Sequence, residues 1–349
     1  YLSIMPIINA HAHLLPYPEE FPRFMREKEI LWIDKERKYM HQKNWRRPID
    51  HDSFFLDAKL RWLEEHHIDH EVLITLSQLY CNGMDQQITA DVIRFQNDYH
   101  LKIQEQYPKK FTAGFVVQAA WLDDALREME RCHHAGLRLL CLPTHFLAQS
   151  GEWRSIIHET AEPIFQYADE LGLSLEIHPY DGQKFIHLED RFWRFHLVWM
   201  LAQCADCYHF FSLRDYDDKY PNLRTCFAHG NQMSMVNIGR RIQGFKGRPD
   251  LFAETKNPEN ILQATNVYHD TLVHDPLSLG ILVNRVPSTQ VVFGIDNPYP
   301  LGEMDSVEGS YPGRVLKEAV EKGLIDPDTR KMIQCENVLR WLDKDKSEL

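Results

Sequence analysis

Residues 7–15 read IINAHAHLL, a short apolar run that delivers His11 and His13 one residue apart. On an extended strand, residues i and i+2 point to the same side, so the two imidazoles would share a face. With 19 histidines in 349 residues, about one such His-x-His is expected by chance. The pair therefore gains meaning only from what ends the other apolar runs.

Seven more such runs follow, at 71–74, 113–117, 137–141, 174–177, 225–228, 265–268 and 291–295. Amphipathic stretches separate most of them. Within 52–66, Phe55, Leu56, Leu60 and Leu63 recur at three-to-four spacing, the period of a helix with one buried face. The stretch 123–134 stops before Gly136, and 159–171 before Gly172; glycine is the usual residue just past a helix end. Further helices are predicted over 191–213, 275–283, 310–322 and 327–342. Eight strands alternating with helices, with no compositional break, predict a single domain over 1–349: an α/β protein with a (β/α)8 TIM barrel. A doubly wound open sheet is the alternative. The segment 17–51 is polar, aromatic and non-periodic, and reads as a long insertion after the first strand, a lid or an interface piece.

In such a barrel the chemistry collects where strands end at the C-terminal face. Strand one ends in His11-Ala12-His13 and strand five in His178-Pro179-Tyr180-Asp181. Strand six ends in His229-Gly230-Asn231 and strand eight in Asp296-Asn297-Pro298. Two or three imidazoles and one carboxylate opening on one face suit a borderline divalent cation, most simply one Zn²⁺ with a position left for water. Zn²⁺ lowers the pKa of a water it binds to about 7. His229 is the candidate for taking up or delivering a proton, and Asp296 for ligating the metal while accepting a hydrogen bond from the water. His145 and His269, after strands four and seven, read as structural. The residues alone thus indicate a mononuclear metal-dependent hydrolase or lyase.

Charge and composition narrow the partners. The formal net charge is −12, with no Lys/Arg-rich run, which argues against nucleic acid or an anionic membrane. A small anion would need locally placed arginines. Of seven scattered cysteines, Cys204 and Cys207 form a CxxC with no second pair to complete a zinc ribbon. They read as two helix-face thiols in a reducing compartment. No run approaches the ~20 apolar residues of a membrane span, and the opening residues lack the basic and long apolar regions of a signal peptide. The expectation is a cytoplasmic protein.

Longer motifs carry a resemblance. INAHAHLLP at 8–16, EMERC at 128–132, HPYD at 178–181 and CFAHG at 226–230 are followed by IGRRIQGFKGRPDL at 238–251, LVHDPLSL at 272–279 and FGIDNPYPLGE at 293–303. Together they resemble the amidohydrolase superfamily, and within it the aminocarboxymuconate-semialdehyde decarboxylase family, most strongly over 220–305. The resemblance implies a zinc-dependent, cofactor-free decarboxylase of a small carboxylic acid, commonly a homodimer. It implies His11, His13, His178 and Asp296 as metal ligands and His229 as the catalytic acid/base. It also implies two arginines on the substrate carboxylate: Arg240, donated by the neighbouring subunit, and Arg47 or Arg46 from the insertion. Hydrolysis of a lactone or amide, or hydration, on the same fold is the alternative reaction. Asn9 stands where the family usually has Asp, Asn297 where it has Tyr, Asn231-Gln232 where it has glycines, and 77–84 does not match its substrate loop. These departures imply altered pocket walls and a different substrate.

Overall fold

The computed structural model describes residues 5–180 and 191–349. Residues 1–4 and Asp181 of the HPYD motif lie outside the described residues. Eight strands form one parallel sheet: β1 (Ile8–Ala12), β2 (His70–Leu73), β3 (Phe111–Val116), β4 (Leu139–Pro143), β5 (Ser174–His178), β6 (Arg224–Phe227), β7 (Val267–Asp270) and β8 (Val291–Val292). They neighbour one another in chain order. The extension of β8 then returns to β1. Ala10 N–H donates to Phe293 O (2.6 Å), Asp296 N–H to His11 O (2.8 Å) and His13 N–H to Asn297 O (2.9 Å). The sheet is a closed barrel, not the doubly wound open sheet.

A helix follows each strand: α1 (Leu56–Glu65), α2 (Gln86–Gln106), α3 (Leu122–Ala135), α4 (Glu162–Glu170), α5 (Met200–Leu213), α6 (Gln232–Gly247), α7 (Pro276–Arg285) and α8 (Arg314–Glu321). Strands covered on both sides must be apolar throughout, and β3, β4 and β5 are buried along their whole length. Local chemistry fixes the helix ends. The side chains of Asp85 and Asp275 accept from Ile88 N–H and Ser278 N–H to cap α2 and α7. Gly136, at φ +104°, ends α3, as its position in the sequence predicts.

Two further helices, α9 (Pro327–Gln334) and α10 (Glu336–Leu342), complete the chain. The stretch 327–342 is thus broken at Cys335 rather than continuous. Val338 and Trp341 of α10 pack with Ile8, Val72, Leu139 and Val292. Trp341 Nε1 donates to Arg224 O, and Ser174 Oγ donates to Trp341 O. Helix α10 therefore plugs the N-terminal end of the barrel, leaving the opposite face for chemistry.

The insertion has its own structure. A short helix (Arg23–Glu27) precedes a three-stranded antiparallel sheet of Trp32–Ile33, Tyr39–Gln42 and Trp45–Pro48. Met25, Leu31 and Met40 pack with Phe54, Leu79, Tyr80 and Tyr299, residues of the loops at the C-terminal face. That small core holds the insertion over the mouth of the barrel. Among the described residues, no helix is long and apolar enough to cross a membrane.

Candidate active site

Where β1 leaves its first residues, its register against β2 shifts between Asn9 and Ala12. The irregularity changes which side chains face inward. Ile8 and Ala10 pack in the barrel interior with Val72 and Val292, and beyond the shift His11 and His13 take the inward positions. Asn9 is left facing α1, where it meets Glu71, the partner of Lys59. A bulge is the usual means by which a strand re-aims a functional side chain.

Five of the sequence-derived site residues converge. His11 Nε2 lies 3.3 Å and His13 Nε2 3.0 Å from the same Asp296 oxygen. His178 Nε2 is 3.3 Å from His229 Nε2, and the His11 ring is 5.2 Å from that of His178 and 5.6 Å from that of His229. All five are at least nine-tenths buried. Two sets of donor atoms, His11–His13–Asp296 and His11–His178–His229, each fall within 4.8 Å of one another. Among the described residues, His11 Nε2 and His13 Nδ1 are buried with no hydrogen-bond partner. Imidazole nitrogens and a carboxylate converging on one point are the donor set of a divalent transition metal, and these residues fit one.

The backbone is strained to achieve this. His229 (φ +56°), Asn231 (φ +44°) and Asp296 (φ +59°) adopt left-handed conformations, which cost about 1–3 kcal/mol each in non-glycine residues and concentrate at functional sites. Between two of them, Gly230 at φ +59° could carry no side chain, since a Cβ there would lie 2.2 Å from Val273 Cγ1.

Charge is distributed unevenly over the cluster. Burial alone would lower His11, but Asp296 and Asp270 outweigh it and hold His11 well above the ordinary histidine range. Burial pushes His13 and His229 each down to about 4. His178 is driven down by burial and by the three neighbouring imidazoles. Asp296 is held well below the usual carboxylate range by His11 and His13, against the effect of burial. His229 is therefore uncharged near neutrality.

Asp270, to which sequence reasoning gave no role, organises the site from behind. Its Oδ2 lies 2.8 Å from His11 Nδ1 and accepts from His229 N–H (3.0 Å). Its Oδ1 accepts from Gly230 N–H (2.7 Å) and Leu272 N–H (3.0 Å). Once His11 is neutral, as metal binding requires, a proton on Nδ1 directed at Asp270 leaves the Nε2 lone pair aimed into the cluster, the arrangement by which carboxylates orient metal-binding imidazoles. The signal was available, because Asp270 ends β7 on the face where the other site residues lie.

The cluster opens into a cavity lined by Arg47, Ser77, Gln78, Trp193, Met200 and Tyr299 beside His178, His229 and Asp296. Arg47, on the last strand of the insertion, stacks its guanidinium 4.3 Å from the centre of the Tyr299 ring. That ring in turn meets His13 edge-on at 4.8 Å. Arg46 points elsewhere, over Tyr39, and is exposed. Arg240 is exposed on α6 and does not line the cavity of its own chain. His145 pairs with Asp206 outside the cluster, and Cys204 and Cys207 are buried free thiols of α5.

One expectation needs correcting. Asn9 and Asn297 are not pocket walls. Both are fully buried and bond to each other and to Glu71 on the helix side of the barrel, because the bulge in β1 turns Asn9 away from the interior. Of the divergent positions, Ser77 and Gln78 do line the cavity.

Comparison with known proteins agrees with this architecture. The sequence pattern of the family described as Amidohydrolase matches residues 8–344. A 2-amino-3-carboxymuconate-6-semialdehyde decarboxylase of Dictyostelium discoideum is 27% identical over 98% of this chain and 92% of its own. Among solved structures, 5-carboxyvanillate decarboxylase from Sphingomonas paucimobilis superposes with a TM-score of 0.74 at 16% identity, covering 98% of this chain and 100% of the other. A dihydroxybenzoic acid decarboxylase from a Polaromonas species, solved with bound manganese, gives 0.72 at 14% identity over 99% of both chains. With the family pattern running through nearly its whole length and a matching barrel, the chain belongs to the amidohydrolase family.

Proposed function

We propose that this protein is a metal-dependent, non-oxidative decarboxylase of a small unsaturated or aromatic carboxylic acid. The observation that carries the reading is the meeting of four imidazoles and Asp296, of which His178, His229 and Asp296 share one cavity with the Arg47 guanidinium, in a chain similar over nearly its full length to a decarboxylase. His11, His13, His178 and Asp296 would hold one divalent cation, Zn²⁺ by the donor set, although manganese is the ion in the Polaromonas protein. When bound, the cation supplies Lewis acidity that polarises a substrate oxygen.

The chain's own residues do the rest. Among the described residues no carboxylate pairs with Arg47, so its donor edge is available to a substrate carboxylate, which guanidinium binds in bidentate fashion. Trp193, Met200 and Tyr299 give the planar part of the acid an apolar seat and exclude water. The bond from the conjugated carbon to the carboxyl carbon breaks, and its electron pair passes into the conjugated system. CO₂ leaves, and the carbon gains a proton. His229 faces the cavity beside His178 and is the group that relays that proton.

The same machinery could instead add water, hydrolysing a lactone or amide or hydrating a double bond. The polar Ser77 and Gln78 in the cavity wall favour this second reading. Mass analysis of products from metal-loaded protein separates the two, since one loses CO₂ and the other gains water.

We also propose that the protein works as a cytoplasmic homodimer in which Arg240 reaches the neighbouring active site. Supporting this, Arg240 lies exposed one turn beyond Val236 on α6, and Val236 (62% exposed) and Phe210 of α5 (43%) are large apolar groups on the surface. Helices α5 and α6 pack against each other, and contiguous exposed apolar surface marks association sites.

A further inference from the structure

Behind the site, on the helix-facing side of the barrel closure, lies a second polar cluster without solvent contact. Lys59 of α1, Glu71 of β2, Asn9 of β1 and Asn297 beyond β8 are each fully buried. Lys59 Nζ is 3.2 Å from Glu71 Oε2. Glu71 Oε1 accepts from Asn9 Nδ2 (3.0 Å) and from Asn297 Nδ2 (2.7 Å). Asn9 Nδ2 also donates to Asn297 Oδ1 (2.7 Å). Asn9 Oδ1 accepts two backbone donors, His11 N–H (3.1 Å) and Ile295 N–H (3.0 Å).

Every group of the Asn9 amide is used, and the partners dictate the residue. The oxygen faces two N–H donors, while the NH₂ faces two acceptors. Aspartate could satisfy the first side but would set an oxygen against Glu71 and Asn297 on the second. It would also place two carboxylates beside one lysine in a site closed to water, where an uncompensated charge is strongly unfavourable. The backbone groups that Asn9 holds belong to His11 and to the residue before Asp296. Asn297, bound by both Asn9 and Glu71, is the residue after Asp296. The cluster thus grips the chain on either side of the two strands that deliver His11, His13 and Asp296.

We propose that Asn9, Asn297 and the Glu71–Lys59 pair are positioning residues that set the convergence of His11, His13 and Asp296 on the metal. This rests on the metal-site reading, though not on decarboxylation as the reaction.

The test uses full-length protein and Co²⁺ as the probe, read by competition with a chromophoric chelator and by the visible spectrum of the bound ion. Asn9→Asp is expected to weaken Co²⁺ binding about 10–100-fold, the usual effect of losing an outer partner of a metal ligand, and to alter the spectrum. Adding Glu71→Gln restores one negative charge per lysine and a donor toward position 9, so the double variant is expected to regain most of the affinity and the native spectrum. Asn9→Asp with native affinity and spectrum, or a double variant no better than the single, would overturn the proposal. If Asn9→Asp does not fold, Asn9→Ser, which adds no charge, carries the test with the same expected loss, and unchanged binding by it refutes the proposal. Wild-type protein that binds no divalent ion would instead overturn the metal-site reading, and this inference with it.

Discussion

Replacing Asp270 by Asn tests how the imidazole cluster is oriented. The carboxylate accepts from three backbone N–H groups and faces His11 Nδ1, all between 2.7 and 3.0 Å. The amide oxygen of Asn can keep Gly230 and Leu272 N–H. Its NH₂ then falls where Oδ2 was, against His229 N–H and His11 Nδ1. The first contact becomes donor against donor, and one bond to a charged acceptor is lost, worth about 1.5–3 kcal/mol of stability. The second contact survives only if His11 is neutral, accepting at Nδ1 and carrying its single proton on Nε2. That proton then occupies the lone pair aimed at the metal. Asp270→Asn should therefore lower metal affinity about 10–100-fold, about 1.4–2.7 kcal/mol, and the apo protein should lose about 1.5–3 kcal/mol in urea unfolding. Nitrogen NMR of the imidazoles reads the tautomer directly. An unchanged His11 tautomer together with unchanged metal affinity would refute the reasoning.

Other perturbations separate the remaining roles. His178→Ala should reduce both metal content and activity, whereas His229→Ala should abolish turnover with metal largely retained; equal metal loss in both would make His229 a ligand. Arg47→Ala should raise KM more than it lowers kcat, because it removes a carboxylate partner while leaving the cluster intact, and an unchanged KM would remove Arg47 from the binding site. Mixing Arg240→Ala with His178→Ala subunits should restore part of the activity if Arg240 acts across the dimer, and no restoration after confirmed exchange would refute that. Glu303 gives a pH signature away from the site. Burial pushes its carboxyl up to about 7 from 4.5. Its folded pKa is raised, so its contribution to stability is fully present below about pH 4.5 and is lost as pH rises through about 7, a swing of about 3 kcal/mol. Glu303→Gln should flatten that part of the stability profile, and an unaltered slope would show that another group is responsible.

Much of the fold was legible because a parallel barrel repeats one signal eight times. Each apolar run lies within a few residues of an observed strand, and Gly136 marks the end of α3. Helix α2 escaped notice although Ile88, Val92, Tyr99 and Ile103 recur on one face, since glutamine, aspartate and histidine dilute the pattern. The stretch 191–213 is helical but begins with a π-helical segment, Phe195–Trp199, before α5, a difference that composition does not encode. Site residues were legible where a strand end carried a rare side chain, as with His11, His178, His229 and Asp296. Asp270 and the Asn9–Glu71 cluster were not, because their roles depend on a bulge and on contacts between residues up to 288 positions apart. A resemblance flagged Asn9 and Asn297 as altered, but only the three-dimensional arrangement shows that they touch.

The most direct test of the central claim is mass spectrometry of products formed in D₂O by metal-loaded protein from a panel of aromatic and dienoic carboxylic acids. The account predicts a product that has lost CO₂ and gained one deuterium at the carbon that bore the carboxyl group, and no product with His229→Ala. A product heavier by water, or unreacted acid across the panel with the metal site fully loaded, would contradict it.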